Sequence, residues 1–204
     1  MSPQPENPLL NPAIHCSPDA ESVAEFTTEE RSLLLKLAHA SIEAELIGQK
    51  ISLEPPSPHL AEPRGAFTTI YIRGELRGCV GYVFPVYSVY RTVAETARSA
   101  AFEDARFPPI NHEESVELEV SLSILSPTRA IRAEELDIGK HGLLVSQHGQ
   151  RGLLLPQVPV EHAWDRVTFL EQTCRKAGLP LDAWRHGAKL EAFTAEIFGD
   201  RNLK

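Results

Sequence analysis

The chain has 204 residues, 42% hydrophobic and 24% charged, which suits one large domain or two small lobes sharing a core. A formal net charge of −8 opposes non-specific binding to phosphate backbones, and no apolar run reaches the roughly 18 residues needed to cross a bilayer. Met1–Glu6 has no basic cluster ahead of an apolar stretch, so no signal peptide is expected. Three widely separated cysteines, Cys16, Cys79 and Cys174, do not suggest a disulfide framework. Reduced thiols and a cytoplasmic location are the expectation.

Residues 1–25 carry Pro3, Pro5, Pro8, Pro12 and Pro18 with few apolar positions, the composition of a mobile tail. A helix is expected from Thr27, whose side chain pairs with Glu30 in a capping box. Leu34, Leu35, Ala38, Ile42 and Leu46 share one of its faces, and Gly48 ends it. Four prolines make 52–65 a loop. Ala66 to Arg73 is rich in β-branched and aromatic residues and predicts a strand. Gly74-Glu75 reads as a type II′ turn into a return strand from Leu76 to Tyr82.

A helix is predicted from Val86 to Phe102, striped by Val89, Val93, Ala97 and Ala100 or Ala101. Val116 to Ile124 alternates apolar and polar residues strictly, a half-buried strand. Gly142–Ser146 and Gln150–Leu155 flank His148-Gly149 as a second hairpin. One helix is expected from His162 to Ala177, capped by Gly178 and stopped by Pro180, and one last strand from Glu191 to Phe198. These elements make an α+β fold.

The segment that draws attention is Arg77-Gly78-Cys79-Val80-Gly81. Strand alternation puts Arg77, Cys79 and Gly81 on one face, with Leu76, Val80 and Tyr82 on the other. A guanidinium beside a thiol favours the thiolate, and two missing side chains leave room for a ligand. The competing reading makes Cys79 a small buried hydrophobe and the glycines packing devices. Asp104 and Arg106 are candidates for an ion pair, or for a base and an anion clamp. His141, in Lys140-His141-Gly142, is a candidate partner for Cys79, although nothing in the sequence brings the two together. Cys174 falls in a helix with Phe169, Leu170 and Ala177 and reads as core. Cys-x-x-Cys, His-x-x-x-His and glycine-rich phosphate loops are absent from the sequence, so no metal or cofactor is expected.

Leu76-Arg77-Gly78-Cys79-Val80-Gly81 resembles the signature of the AMMECR-one domain family, also called AmmeMemoRadiSam system protein A. Further similar blocks follow in order: Ala100 to Pro109, Val116 to Pro127, Ile138 to Leu143, Gly152 to Val158, Glu171 to Pro180 and Phe193 to Phe198. The resemblance implies an AMMECR-one domain over 26–204. It implies antiparallel sheets flanked by helices, in two intimately packed lobes. It also implies association with a Memo-type protein and a radical-SAM enzyme. The family's activity is not established; its signature is suspected to line a pocket, which here involves Arg77, Gly78, Cys79 and Gly81. Arg73-Gly74 stands where the family has Asp-Gly, Ala105 where it has proline, and Tyr82 where a smaller residue is common. Two functions follow as expectations. The first is a ligand- or partner-binding protein with a pocket at Arg77–Gly81, to which Asp104 and Arg106 contribute. The alternative is an enzyme using Cys79 as nucleophile, with His141, on a small anionic or nucleotide-like substrate.

Overall fold

A computed structural model describes residues 24–202. The expected tail, with Cys16, therefore lies almost wholly outside the described residues. Helix α1 (Thr28–Leu46) opens with the expected capping box, Thr27 and Glu30 each bonding the other's backbone N–H. Such a cap contributes about 1 kcal/mol and fixes where the helix starts. Immediately before it, Glu25 is tied down by Arg64 and by Glu196.

Strands β1 (Ala66–Ile72), β2 (Glu75–Tyr82), β3 (Leu118–Leu125) and β8 (Ala195–Gly199) form one antiparallel sheet, ordered β2-β1-β3-β8. Ala66, Thr68 and Ile70 of β1, with Val120, Leu122 and Ile124 of β3, are buried. They pack beneath α1 and α2 (Val89–Phe102) to make the first core. Helix α2 starts three residues later than its apolar pattern predicts, because Ser88 caps it by accepting from the N–H of Arg91. The alternating strand also starts late. Val116 is exposed, and a short helix α3 (His112–Ser115) precedes the strand, capped by Asn111 and Glu114.

The second sheet joins β4 (Arg129–Ala130), β7 (Lys189–Phe193), β5 (Gly142–Gln147) and β6 (Gln150–Leu154) in the order β4-β7-β5-β6. Leu143, Val145, Leu154 and Leu190 turn one face of it towards Phe169, Leu170 and Cys174 of α5 (Arg166–Lys176), the second core. The fully buried Cys174 confirms the core reading, and burial raises its thiol pKa. The helix expected from His162 starts only at Arg166, and a short helix that was not expected precedes it. Helix α4 (Gln157–Glu161) ends, Ala163 takes a left-handed φ of 51°, and Asp165 caps α5 afresh.

The last expected strand is in fact two. Glu191 to Phe198 crosses from the second sheet to the first, breaking at Thr194. The chain crosses the other way between β3 and β4. Where the two crossings lie side by side, the Ser126 N–H donates to the Thr194 carbonyl and the Thr194 N–H to the Ser126 hydroxyl. The sequence hides such a crossing, because a single residue, Thr194, separates the two strands and no glycine or proline marks the break. The fold is thus α+β, with two lobes closely joined through this pair of connections. Among the described residues no helix is long and apolar enough to cross a membrane.

Candidate functional site

The first hairpin sets the geometry of the signature strand. Its loop is Arg73-Gly74, with φ of 52° and 86°, the double positive φ of a type I′ turn rather than the expected type II′ at Gly74-Glu75. Arg73 holds this uncommon conformation while its guanidinium grips Glu117 on both oxygens. Two residues on, Tyr71 pairs with Leu76 and Ile70 with Gly78, so Arg77 has no partner on β1. It is the extra residue of a β-bulge, and bulges re-aim side chains. Simple alternation therefore fails at this point. Leu76 pairs on the Tyr71 side of the sheet, and Arg77 leaves the row it was expected to share with Cys79.

Arg77 reaches Glu114 at 2.9 and 3.1 Å and the Pro108 carbonyl at 2.7 Å. This holds Glu114 below the usual carboxylate range, helped by the Asn111 N–H. Arg77 is thus committed to the loop and does not polarise Cys79. The guanidinium near the cysteine is that of Arg106, and it takes the backbone rather than the sulfur. The Arg106 side chain donates to the Cys79 carbonyl at 3.2 Å, and the Cys79 N–H donates to Asp104 at 2.9 Å. Asp104 and Arg106 form the expected ion pair, at 2.6 Å. The Arg106 hydrogen bond, then the Cys79 N–H, lower the Asp104 pKa to about 2, against the opposing effect of burial.

Strand β2 is a sheet edge, where free backbone groups invite another strand. Here the ion pair takes the place of that neighbour. Ala105 sits in a turn held by Asp104 itself, through the N–H of Arg106 at 3.2 Å and of Phe107 at 3.0 Å. The Phe107 ring lies near both Arg77 and Arg106, about 6.0 and 5.4 Å from its centre.

The two glycines are filled by packing. A side chain at Gly78 would overlap the backbone carbonyl of Ala100 in α2, and one at Gly81 would overlap the ring of Phe67. Cys79 is half-buried on the outer face of the sheet, and the Thr69 hydroxyl donates to its sulfur at 3.3 Å. Burial, then the nearby Cys79, raises the Tyr71 phenol pKa. His141 lies in the second lobe, buried, with Nδ1 accepting from the Asp137 N–H and Nε2 3.4 Å from Arg129. Burial and Arg129 lower its pKa, favouring the neutral ring. The structure therefore assembles Arg77, Gly78, Cys79, Gly81, Asp104 and Arg106 around β2 and leaves His141 apart. Sequence reasoning missed Thr69, Glu114 and Phe107. Counting along the hairpin from its true turn would have set Thr68 opposite Cys79; the bulge at Arg77 brings Thr69 there instead.

Strand β2 ends at Tyr82, and the chain then bends. Val83, Phe84 and Pro85, the segment that follows, form one wall of a cavity of about 440 Å³ between the lobes. Ser126, Pro127 and Thr128 of the crossing also line it, as do Leu144, Ser146, Arg151, Leu153, Lys189 and Glu191 from the face of the second sheet turned away from α5. Cys79 is not among the lining residues; it lies roughly 13 Å back along the strand from Val83. The guanidinium of Arg151, from the second lobe, lies 5.6 Å from the centre of the Phe84 ring, from the first. Among the described residues no cluster of three or more His, Cys, Asp or Glu side chains is placed to hold a metal ion.

The AMMECR1 family model matches residues 35–198. Protein MK0488 of Methanopyrus kandleri is 40% identical over 185 residues, 85% of this chain and 89% of that protein. Protein MJ0810 of Methanocaldococcus jannaschii is 42% identical over 183 residues, 85% and 91% of the two chains. The crystal structure of the uncharacterized protein PH0010 from Pyrococcus horikoshii is similar with a TM-score of 0.66 and 39% identity, over 83% of this chain and 91% of that one. A single family model over most of the length, with relatives aligned nearly end to end, makes this chain a member of the AMMECR1 family.

Proposed function

We propose that this protein works by binding a small molecule in the cleft between its lobes, with the Arg77–Gly81 segment holding the strand that leads into one wall. The observation that carries this reading is the 440 Å³ cavity itself, of ligand size, walled by both lobes and seated on the connection between them. Asp104, Arg106 and Arg77 serve the site indirectly, by fixing the edge of β2 from which Val83–Pro85 extend. Nucleophilic use of Cys79 has less support. Its sulfur accepts a bond from Thr69, and neither His141 nor a free carboxylate stands next to it as a base. The Memo-type and radical-SAM proteins implied by the family resemblance are the proposed partners.

The test is a library of small molecules screened by two-dimensional NMR on the full chain and on Leu144→Trp, which fills the cleft. Ligands should shift resonances of 83–85, 126–128 and 144–146 in the parent and lose those shifts in the variant, while Cys79→Ser behaves like the parent. Shifts centred on Thr69, Tyr71 and Cys79, together with rapid selective alkylation of Cys79, would replace the cleft by the cysteine as the working centre. Pull-downs with a purified Memo-type or radical-SAM protein test the partners, and lack of retention by either removes them.

A further inference from the structure

The cleft is chemically lopsided, and the register of the second sheet shows how. Ser146 of β5 pairs with Arg151 of β6 on one side and with Lys189 of β7 on the other. All three line the cavity, so one row across three strands reads cation, hydroxyl, cation. The next row on the same face is Leu153, Leu144 and Glu191. Directly opposed residues in a sheet stand about 5 Å apart at Cβ, which puts the Arg151 and Lys189 positions about 10 Å apart with a small side chain between them.

Three cations and one carboxylate line the cavity of a protein whose net charge is −8. Arg64 is held by Glu25 and Glu62, and Lys189 by Glu191 at 2.9 Å, while Glu191 also accepts from Thr128. Arg151 meets the Phe84 ring instead and has no acidic partner among the described residues. A guanidinium with no carboxylate, facing a partly apolar cavity, is suited to a planar or tetrahedral anion that takes its fork of donors.

We infer that the cleft takes a small molecule with an anionic head, carboxylate or phosphate, and a flat apolar body. The head lies over Ser146 between Arg151 and Lys189. The body lies along Leu144 and Leu153, under Phe84. Arg151 and Phe84 belong to different lobes, so a head on the guanidinium and a ring against the phenyl join both walls through one molecule. This inference rests on the cleft reading above and adds the chemistry of the ligand.

The test compares four probes on the intact chain by NMR titration: 1-naphthoate, 1-naphthyl phosphate, the neutral 1-naphthalenemethanol and inorganic phosphate. Either or both naphthyl anions should shift the cleft resonances and bind roughly tenfold or more tightly than the alcohol, more weakly as salt rises. Which of the two binds better separates a carboxylate from a phosphate ligand. Arg151→Ala should abolish that preference, Arg151→Lys should restore only part of it, and Ser146→Leu should block the head while leaving both cations. Equal binding of alcohol and anions in the cleft overturns the charge inference and leaves the cleft reading standing. Binding of inorganic phosphate as tight as that of the naphthyl anions overturns the role given to the apolar row. A cleft that responds to none of the four overturns the inference outright, while the broader screen against Leu144→Trp decides the cleft itself.

Discussion

Two neighbouring stretches of the chain behave in opposite ways. Along Arg77–Gly81 the surroundings are saturated. The Cys79 peptide is bonded on both sides, Arg77 carries a carboxylate and a carbonyl, and both glycine positions are occupied by a neighbour. Along Val83–Pro85, just past the end of the strand, the chain borders a cavity, with a guanidinium that meets no acid among the described residues. Groups that look reactive in a sequence need not be where ligand fits. A thiol, two arginines and an aspartate can all be engaged in holding an edge, and free space and unpaired charge then lie a few residues further on.

The sharpest way to break the comparison is to overfill the saturated stretch. Gly78→Val sets a branched side chain against the Ala100 carbonyl, part of a helix backbone that has no rotamer with which to yield. The expected loss is about 3 kcal/mol, a fall in melting temperature on the order of 10 °C. A variant that melts like the parent would show that the strand and α2 are not in close contact.

Next in size is Asp104→Asn, which keeps the shape and removes the charge that faces Arg106. The Asp104 side chain is 7% exposed but its partner Arg106 is 39% exposed, so solvent screens the pair in part. Its carboxyl pKa falls from 3.8 to about 2 on folding, so the protein gains stability wherever Asp104 is ionised in both states. That gain is at most about 2 kcal/mol, complete above about pH 5 and lost as pH falls from about 5 to 2. Denaturant melts should show a constant gap between parent and variant from about pH 7 to 5, narrowing below about pH 5. A gap that widens in acid would contradict the assignment.

Much of this was readable beforehand, and what escaped has a common cause. The α1 capping box, the α2 stripe, the β5–β6 hairpin and the Asp104–Arg106 pair involve residues close in sequence, and local patterns specify them. The rest depends on contacts between distant segments. Arg77 was assigned to Cys79 because a bulge shifts register without altering composition. Phe193 and Ala195 read as one strand because Thr194 alone separates the two elements and carries no turn signal. The Arg151–Ser146–Lys189 row needs β7 beside β5, a pairing of residues about forty positions apart that no local pattern encodes. His141 looked catalytic by residue type, yet the Asp137 N–H and Arg129 hold it in the other lobe.

Two smaller effects sharpen the contrast. Arg77→Ala removes a side chain that is 13% exposed and bonded to a partly exposed Glu114. About 1–2 kcal/mol should be lost, with faster amide exchange across 104–115 and unchanged exchange at 144–146. Acceleration that spread into the second lobe would mean that the two stretches are coupled.

Cys79→Ser should do least of all. The backbone bonds to Asp104 and Arg106 do not depend on the side chain, and an oxygen can still accept from Thr69. The group is half-buried, so exchanging sulfur for oxygen trades a little apolar contact for a somewhat better acceptor, a change below about 1 kcal/mol. Binding of the naphthyl anions in the cleft should stay within about twofold of the parent, because an atom roughly 13 Å back along a braced strand has no direct hold on that cavity. A tenfold loss of binding with the fold intact would make the sulfur part of the site, and the strand and the segment after it would then have to be read as one continuous surface rather than as a braced part and an open part.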